Sequence, residues 1–214
     1  MRGPRELRAN PIHPLTTPNR ATSMHAFLRP ARTPLALSAL TLLLAACSGD
    51  SVVAPGGESE VISRVTLTLT PATGAAVSAY IEDADGNGPG APSAQVGSLT
   101  LVPGTTYAGT IRFENRLVSP IENITTEVVA EADEHRVFYT VTGTGVTVTT
   151  TDVDGGGRPL GVTFNAAVAA GTPAGTRTLR AVLCHYADSP KPAAASSCTV
   201  DTDIDVSFTA TIPI

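Results

Sequence analysis

Two histidines stand where they could hold a metal. His135 closes the acidic run Glu131-Ala132-Asp133-Glu134-His135, and His185 follows the alternating apolar residues Leu179, Ala181 and Leu183. Neutral imidazoles with nearby carboxylates suit zinc or another first-row divalent ion. The expected donor set is His135 and His185 with Asp133 or Glu134. Two imidazoles and one carboxylate would leave a coordination position open, which suits transfer to a partner better than a closed structural site. Plainer readings stand beside this one. His135 could be a cation at a helix C-terminus, favoured by the dipole, and His185 a rim histidine with its ring packed.

A second, weaker candidate is Asp83-Ala84-Asp85-Gly86-Asn87-Gly88, which opens like a calcium loop of the EF-hand type. Asp83, Asp85 and Asn87 would supply the alternating oxygens and Gly86 the sharp turn. The twelfth position is Ala94, where a bidentate glutamate belongs, and Pro89 and Pro92 prevent a following helix. An acidic turn between strands explains the same residues. Asp152-Val153-Asp154-Gly155-Gly156-Gly157 reads as a hairpin turn, and Asp201, Asp203 and Asp205 as the solvated face of a strand.

Cys184 and Cys198 are separated by a Pro/Ala/Ser-rich loop. In an oxidising compartment such a pair reads as a disulfide, and closing the loop contributes about 3 kcal/mol in the chain-entropy treatment. Cys198 is in phase with an inward Val200 while Cys184 is out of phase with Leu183, so the loop must rotate Cys198. Two thiols binding metal beside His185 is the alternative, which that compartment disfavours. No HExxH, GxSxG, P-loop or dinucleotide-binding glycine pattern occurs, and tryptophan is absent. The expected activity is binding, not catalysis.

The compartment follows from the N-terminus. Arg29 and Arg32 precede the uncharged stretch from Pro34 to Ala46, and Cys47 follows it. A basic flank and a short apolar run make an export signal, too short for a membrane-spanning helix. Leu44-Ala45-Ala46-Cys47 resembles a lipobox, which makes Cys47 the expected lipidation site. Residues 1–23 hold four prolines, four arginines and no apolar run, so they read as an extension ahead of a true start at Met24. The signal peptide is then 24–46, a lipidated cysteine and flexible tether 47–60, and a folded domain 61–214. Ser48 is not the aspartate that marks inner-membrane retention, so an outer-membrane lipid anchor is expected, on its periplasmic or surface face. From Cys47 onward eighteen acidic residues face eight lysines and arginines, a net charge of −10. That balance disfavours nucleic acid and suits a cation binder.

The elements that must position these residues read with period two. Val65, Leu67 and Leu69 alternate with threonines, and Tyr107, Ile111 and Phe113 alternate with Thr106, Thr110 and Arg112. Leu160, Val162 and Phe164 return from the Asp154 turn, and Val200, Ile204, Val206, Phe208, Ala210 and Ile212 share one face. Eight or nine such strands imply an all-β fold, an immunoglobulin-like antiparallel β-sandwich, with a barrel as the alternative. Ser119-Pro120-Ile121-Glu122 matches a capping box, and Ile121, Ile124, Val128 and Ala132 recur at helical spacing. One short helix is expected near 120–133.

Three segments carry a family resemblance: Ala132-Asp133-Glu134-His135-Arg136-Val137-Phe138-Tyr139, His185-Tyr186-Ala187-Asp188-Ser189-Pro190-Lys191, and Asp201 to Val206. Together with the Glu82–Gly88 turn they resemble a group of small lipoproteins of Bacteroidetes and related Gram-negative bacteria, over most of 61–214. Some members carry a type 1 periplasmic binding fold label, with which the strand pattern here disagrees. The resemblance implies association with outer-membrane metal uptake, and Cys184 and Cys198 depart from it. Two functions are therefore expected. One is a lipid-anchored β-sandwich that binds an envelope protein; the alternative is a divalent-metal capture accessory of an outer-membrane transporter.

Overall fold

The computed structural model describes residues 60–84 and 92–214. The signal peptide, Cys47 and the tether up to residue 59 lie outside the described residues, as do Asp85 and Asn87 of the calcium candidate. Among the described residues there are ten strands and one helix. The strands are β1 (Arg64–Pro71), β2 (Val77–Glu82), β3 (Val96–Gly97), β4 (Leu99–Thr100) and β5 (Thr106–Glu114). After the helix α1 (Ile124–Ala130) come β6 (His135–Thr142), β7 (Val146–Thr150), β8 (Thr163–Val168), β9 (Gly175–His185) and β10 (Asp201–Ile212).

Two sheets result, in the orders β3-β2-β1-β5-β8-β7 and β4-β10-β9-β6. Threonine alternates with valine or leucine in β1 and with valine in β7, as a pleated, half-buried surface favours. The apolar stripes of both sheets meet in one core around Phe113, Phe164 and Phe208, so the fold is an all-β sandwich. Val96–Gly97 pairs in the first sheet and Leu99–Thr100 in the second, so the chain changes sheets at Ser98. Gly97 permits this with φ +89°, where an added Cβ would lie 2.5 Å from the Ser78 carbonyl oxygen.

The helix is shorter than its sequence pattern. Residues 120–123 stay outside because Asn115 and Glu122 exchange backbone hydrogen bonds at 3.1 and 3.0 Å, which commits Glu122 to a β-bridge. The helix starts at Ile124 after Asn123, and the Ser119 capping box does not form. Ile124 and Val128 are buried. Thr125 Oγ1 accepts from the Phe113 N–H at 2.7 Å, fixing α1 on β5.

The second sheet carries apolar side chains on its outer face as well. Phe138, Val182, Cys184 and Tyr186 form a small cluster, covered by Ala195, Cys198 and Val200 of the connection between β9 and β10. That connection folds back over the sheet, and a Cys184–Cys198 disulfide joins the two. This settles the phase conflict: both cysteines face the outer cluster, and Val200 belongs there too and not to the main core. Arg136 holds the same connection by donating to the Ala195 and Pro192 carbonyls at 3.1 and 3.4 Å, with its guanidinium 4.4 Å from the centre of the Phe138 ring. Lys191 Nζ donates to the Ala132 carbonyl at 2.6 Å and lies 3.2 Å from Asp154 Oδ2. Both side chains of that pair are fully buried.

Candidate metal centre

The turn after α1 delivers His135 to the start of β6. Glu134 N–H donates to the Glu131 carbonyl at 2.9 Å, so the acidic run Glu131–Glu134 is a turn, and His135 is the first strand residue rather than the last helical one. His135 stands directly opposite His185, the last residue of β9, in the antiparallel register. Cross-strand neighbours on one face touch. The two imidazoles stack with centroids 4.4 Å apart and planes inclined by 22°. Both are buried, His135 completely.

The third member comes from β10. Asp203 was expected on the solvated face with Asp201 and Asp205, and it is buried instead. The cause is a β-bulge. Thr202 pairs with Cys184 and Ile204 with Leu183, leaving Asp203 as the extra residue. The bulge reverses the inward and outward parity, so Asp203 turns in beneath the histidines while Asp201 and Asp205 stay out. Asp203 Oδ2 is 3.7 Å from His135 Nε2, and Asp203 Oδ1 is 3.6 Å from His185 Nδ1. Glu60 Oε1 approaches the same His135 Nε2 at 3.5 Å.

These separations exceed those of well-made hydrogen bonds, which lie near 2.7–3.2 Å. They are close to the edge of a coordination tetrahedron, about 3.3–3.4 Å for bonds of 2.0–2.1 Å. One donor atom each from His135, His185 and Asp203 lies within 4.8 Å of the others. The tautomer also suits a metal. His135 Nδ1 lies 3.2 Å from the Glu131 carbonyl oxygen, which can only accept, so Nδ1 carries the proton and Nε2 presents its lone pair. Holding the second ring nitrogen on a backbone carbonyl is the usual way a ligating histidine is oriented. Neither His135 Nε2 nor His185 Nε2 has a hydrogen-bond partner among the described residues. Burial pushes the His135 imidazole down, but Glu60, the Glu131 carbonyl and the Asp203 charge together leave it above its ordinary value.

The other expected residues fall into place around this triad. Glu134 is half-buried, with Oε2 3.9 Å from His185 Nε2, at the rim. Asp133 is exposed on the turn and is not among the grouped donors, because the turn ends at Glu134 and points its side chain to solvent. Asp83 is buried, lining a hollow of about 530 Å³ with Arg64, Glu82 and Arg116, away from the histidines. Asp152 accepts from the Gly161 and Thr163 N–H groups at 2.7 and 2.9 Å, and Asp154 from Gly156 and Arg158, both at 2.8 Å. Those two carboxylates hold a loop and are not metal donors. Asp203 and Glu60 escaped the sequence reading. The pairing of β10 with β9 could have found Asp203; nothing in the tether's composition marks Glu60.

A pocket of about 200 Å³ opens beside His185, lined by Tyr186, Asp188, Ser189, Val200 and Asp201. Two of its lining side chains, Asp188 and Asp201, are carboxylates. A larger hollow, about 730 Å³ between residues 71–77 and 100–107, is lined by no histidine, cysteine or carboxylate, with Tyr107 among its lining side chains. That hydroxyl already accepts from the Val102 N–H at 2.8 Å. No family model, curated protein or solved structure matches this chain.

Proposed function

We propose that the protein is a lipid-anchored, extracytoplasmic, immunoglobulin-like sandwich that captures a first-row divalent metal at His135, His185 and Asp203. One observation carries this reading: three buried donors from three strands, one atom each of His135, His185 and Asp203, lie within 4.8 Å of one another, with the Asp203 carboxylate 3.6–3.7 Å from both imidazoles. The negative balance of the exported chain and the acidic pocket mouth support a cation as ligand. So does the resemblance to Bacteroidetes-type lipoproteins associated with metal uptake, which would make an outer-membrane transporter the receiving partner.

Calorimetry with zinc tests the site. The wild type is expected to bind one ion, His135→Ala to lose binding by at least about a hundredfold, and Asp133→Asn to bind as the wild type does. Equal affinity in the wild type and His135→Ala ends the proposal. A second reading, a lipoprotein that binds an envelope protein, is favoured by Leu117, Val118 and Ile121, each about half exposed on one loop.

The anchor has its own test. Cys47→Ser is expected to leave the membrane fraction or remain unprocessed, while the wild type carries diacylglycerol mass on its new N-terminus. An unmodified wild-type N-terminus, with membrane association unchanged in the variant, refutes the anchor and leaves the metal site standing.

A further inference from the structure

The chain enters the sandwich beside an exposed apolar loop. Ser63 N–H donates to the Glu114 carbonyl at 3.0 Å, and Arg116 N–H donates to Ser63 Oγ at 2.7 Å. The residues that lead into β1 are therefore bonded to the base of the segment that leaves β5. On that segment Leu117, Val118 and Ile121 are each about half exposed. No other run of five residues among the described ones exposes three large apolar side chains. The segment is also pinned. Asn115 and Glu122 exchange backbone bonds, Asn115 Nδ2 donates to Glu122 Oε2 at 3.1 Å, and Asn115 Oδ1 accepts from the Leu117 N–H at 3.1 Å. Residues 116–121 thus form a closed tip whose docking costs little ordering entropy. Three apolar side chains together on such a tip are a contact surface and not scattered exposure.

What receives them follows from where the chain comes from. Residues 48–59, twelve in all, separate Cys47 from the first described residue. A chain of that length and composition spans about 20 Å. The sandwich is deeper than that, since β1 runs about 25 Å from Arg64 at this end to Pro71 at the other. A lipid on Cys47 therefore keeps the tip's end nearest the bilayer, at an effective concentration of about millimolar, where weak insertion suffices. Glu122, Glu127 and Glu131 follow the tip and are exposed, so the surface that matches it is zwitterionic and not anionic.

We propose that Leu117, Val118 and Ile121 insert into the lipid surface that carries the chain's own anchor. This rests on the lipidation of Cys47 proposed above. The lipid tethers the sandwich, and the apolar tip orients it. The same end bears the metal donors: Ile62 and Ser63 line one recess with Ile204 and Asp205, the residues directly after Asp203. Insertion holds that end toward the membrane, where a transporter would collect the ion.

The test places one indole on a chain that has no tryptophan of its own. The full lipidated chain carries Leu117→Trp or, as the comparison, Val102→Trp. Val102 is about equally exposed and lies at the far end, where its N–H donates to Tyr107 Oη and Tyr107 pairs with Pro71. Each chain is reconstituted with protein-free phosphatidylcholine vesicles, with and without brominated acyl chains, and sedimentation with the vesicles reports the anchor. The Leu117→Trp emission is expected to shift to the blue and to lose most of its intensity to brominated lipid, while the Val102→Trp emission keeps its position and intensity. Ile121→Trp should behave as Leu117→Trp does, which guards against one misfolded variant. Equal emission from the two ends, with both chains sedimenting, overturns the inference and leaves the anchor standing. An indole at the tip that is shielded from iodide only in native envelope membranes, and is unchanged by protein-free vesicles, assigns the tip to a protein partner and overturns the inference as well. A wild type that does not sediment with the vesicles overturns the anchor and the inference together.

Discussion

Lys191→Met is expected to cost about 3–5 kcal/mol of stability, because it leaves the Asp154 carboxylate buried without its cation. The ammonium is placed by the β9–β10 connection and reaches both the Ala132 carbonyl and Asp154, so it ties that connection to the turn before β6 and to the loop between β7 and β8. Burial pushes the Asp154 carboxyl up, but the Arg158 and Gly156 N–H groups and Lys191 outweigh it and leave it below the usual carboxylate range. A lowered folded value means stability that is complete above the ordinary carboxylate range and lost as pH falls through the folded value. Without Lys191 the folded value rises, so the acid loss should begin at higher pH. Urea unfolding at neutral pH and across the acid limb measures both. The double variant Asp154→Asn, Lys191→Met should recover part of the loss, since the pair is then removed together. A single-variant cost below about 1 kcal/mol, typical of a surface pair, would contradict this account.

Zinc is expected to raise the melting temperature of the wild type and to leave that of Asp203→Asn unchanged. At free zinc about a hundred times Kd, an ion that binds only the folded state adds about 2.7 kcal/mol, roughly 5–10 °C for a domain of this size. Asp203 stands between both imidazoles, so its loss separates the two histidine contacts at once. A chelator should return the wild type to its metal-free midpoint. Asp205→Asn is the control, as it carries the same chemistry two residues away on the exposed face of the strand. A zinc shift of equal size in Asp203→Asn would place the ion elsewhere.

Most strands are legible because they bury one face, and a period of two survives in the residue order whatever the partner. The meeting of His135 and His185 was half legible. The residue pattern sets each at the end of an element, but only the register of β6 on β9 puts them opposite one another. The residue order points Asp203 outward for a definite reason. Asp201-Thr202-Asp203-Ile204-Asp205 alternates faultlessly, and the extra residue appears only when β10 is laid on β9. The helix was overextended because its local signals compete with a backbone pairing between Asn115 and Glu122, which periodicity does not contain. Cys184 looked out of phase because an outer apolar face is not expected on a strand that alternates. That face exists only because the residues after Tyr186 fold back over it. Lys191 resembled any surface lysine, since its buried partner lies 37 positions away in the chain.

The placement of β1 has a mechanical consequence. It is the first strand of the sandwich, and it lies between two antiparallel neighbours, with six residue pairs to β2 and eight to β5. Tension transmitted through the residues before Glu60 runs along β1, at right angles to the hydrogen bonds on both of its flanks. Those bonds are loaded in shear and must yield together, whereas a strand peeled from an edge yields one bond at a time. A load entering from the N-terminal side therefore meets a strand inside the sheet and not one at its edge.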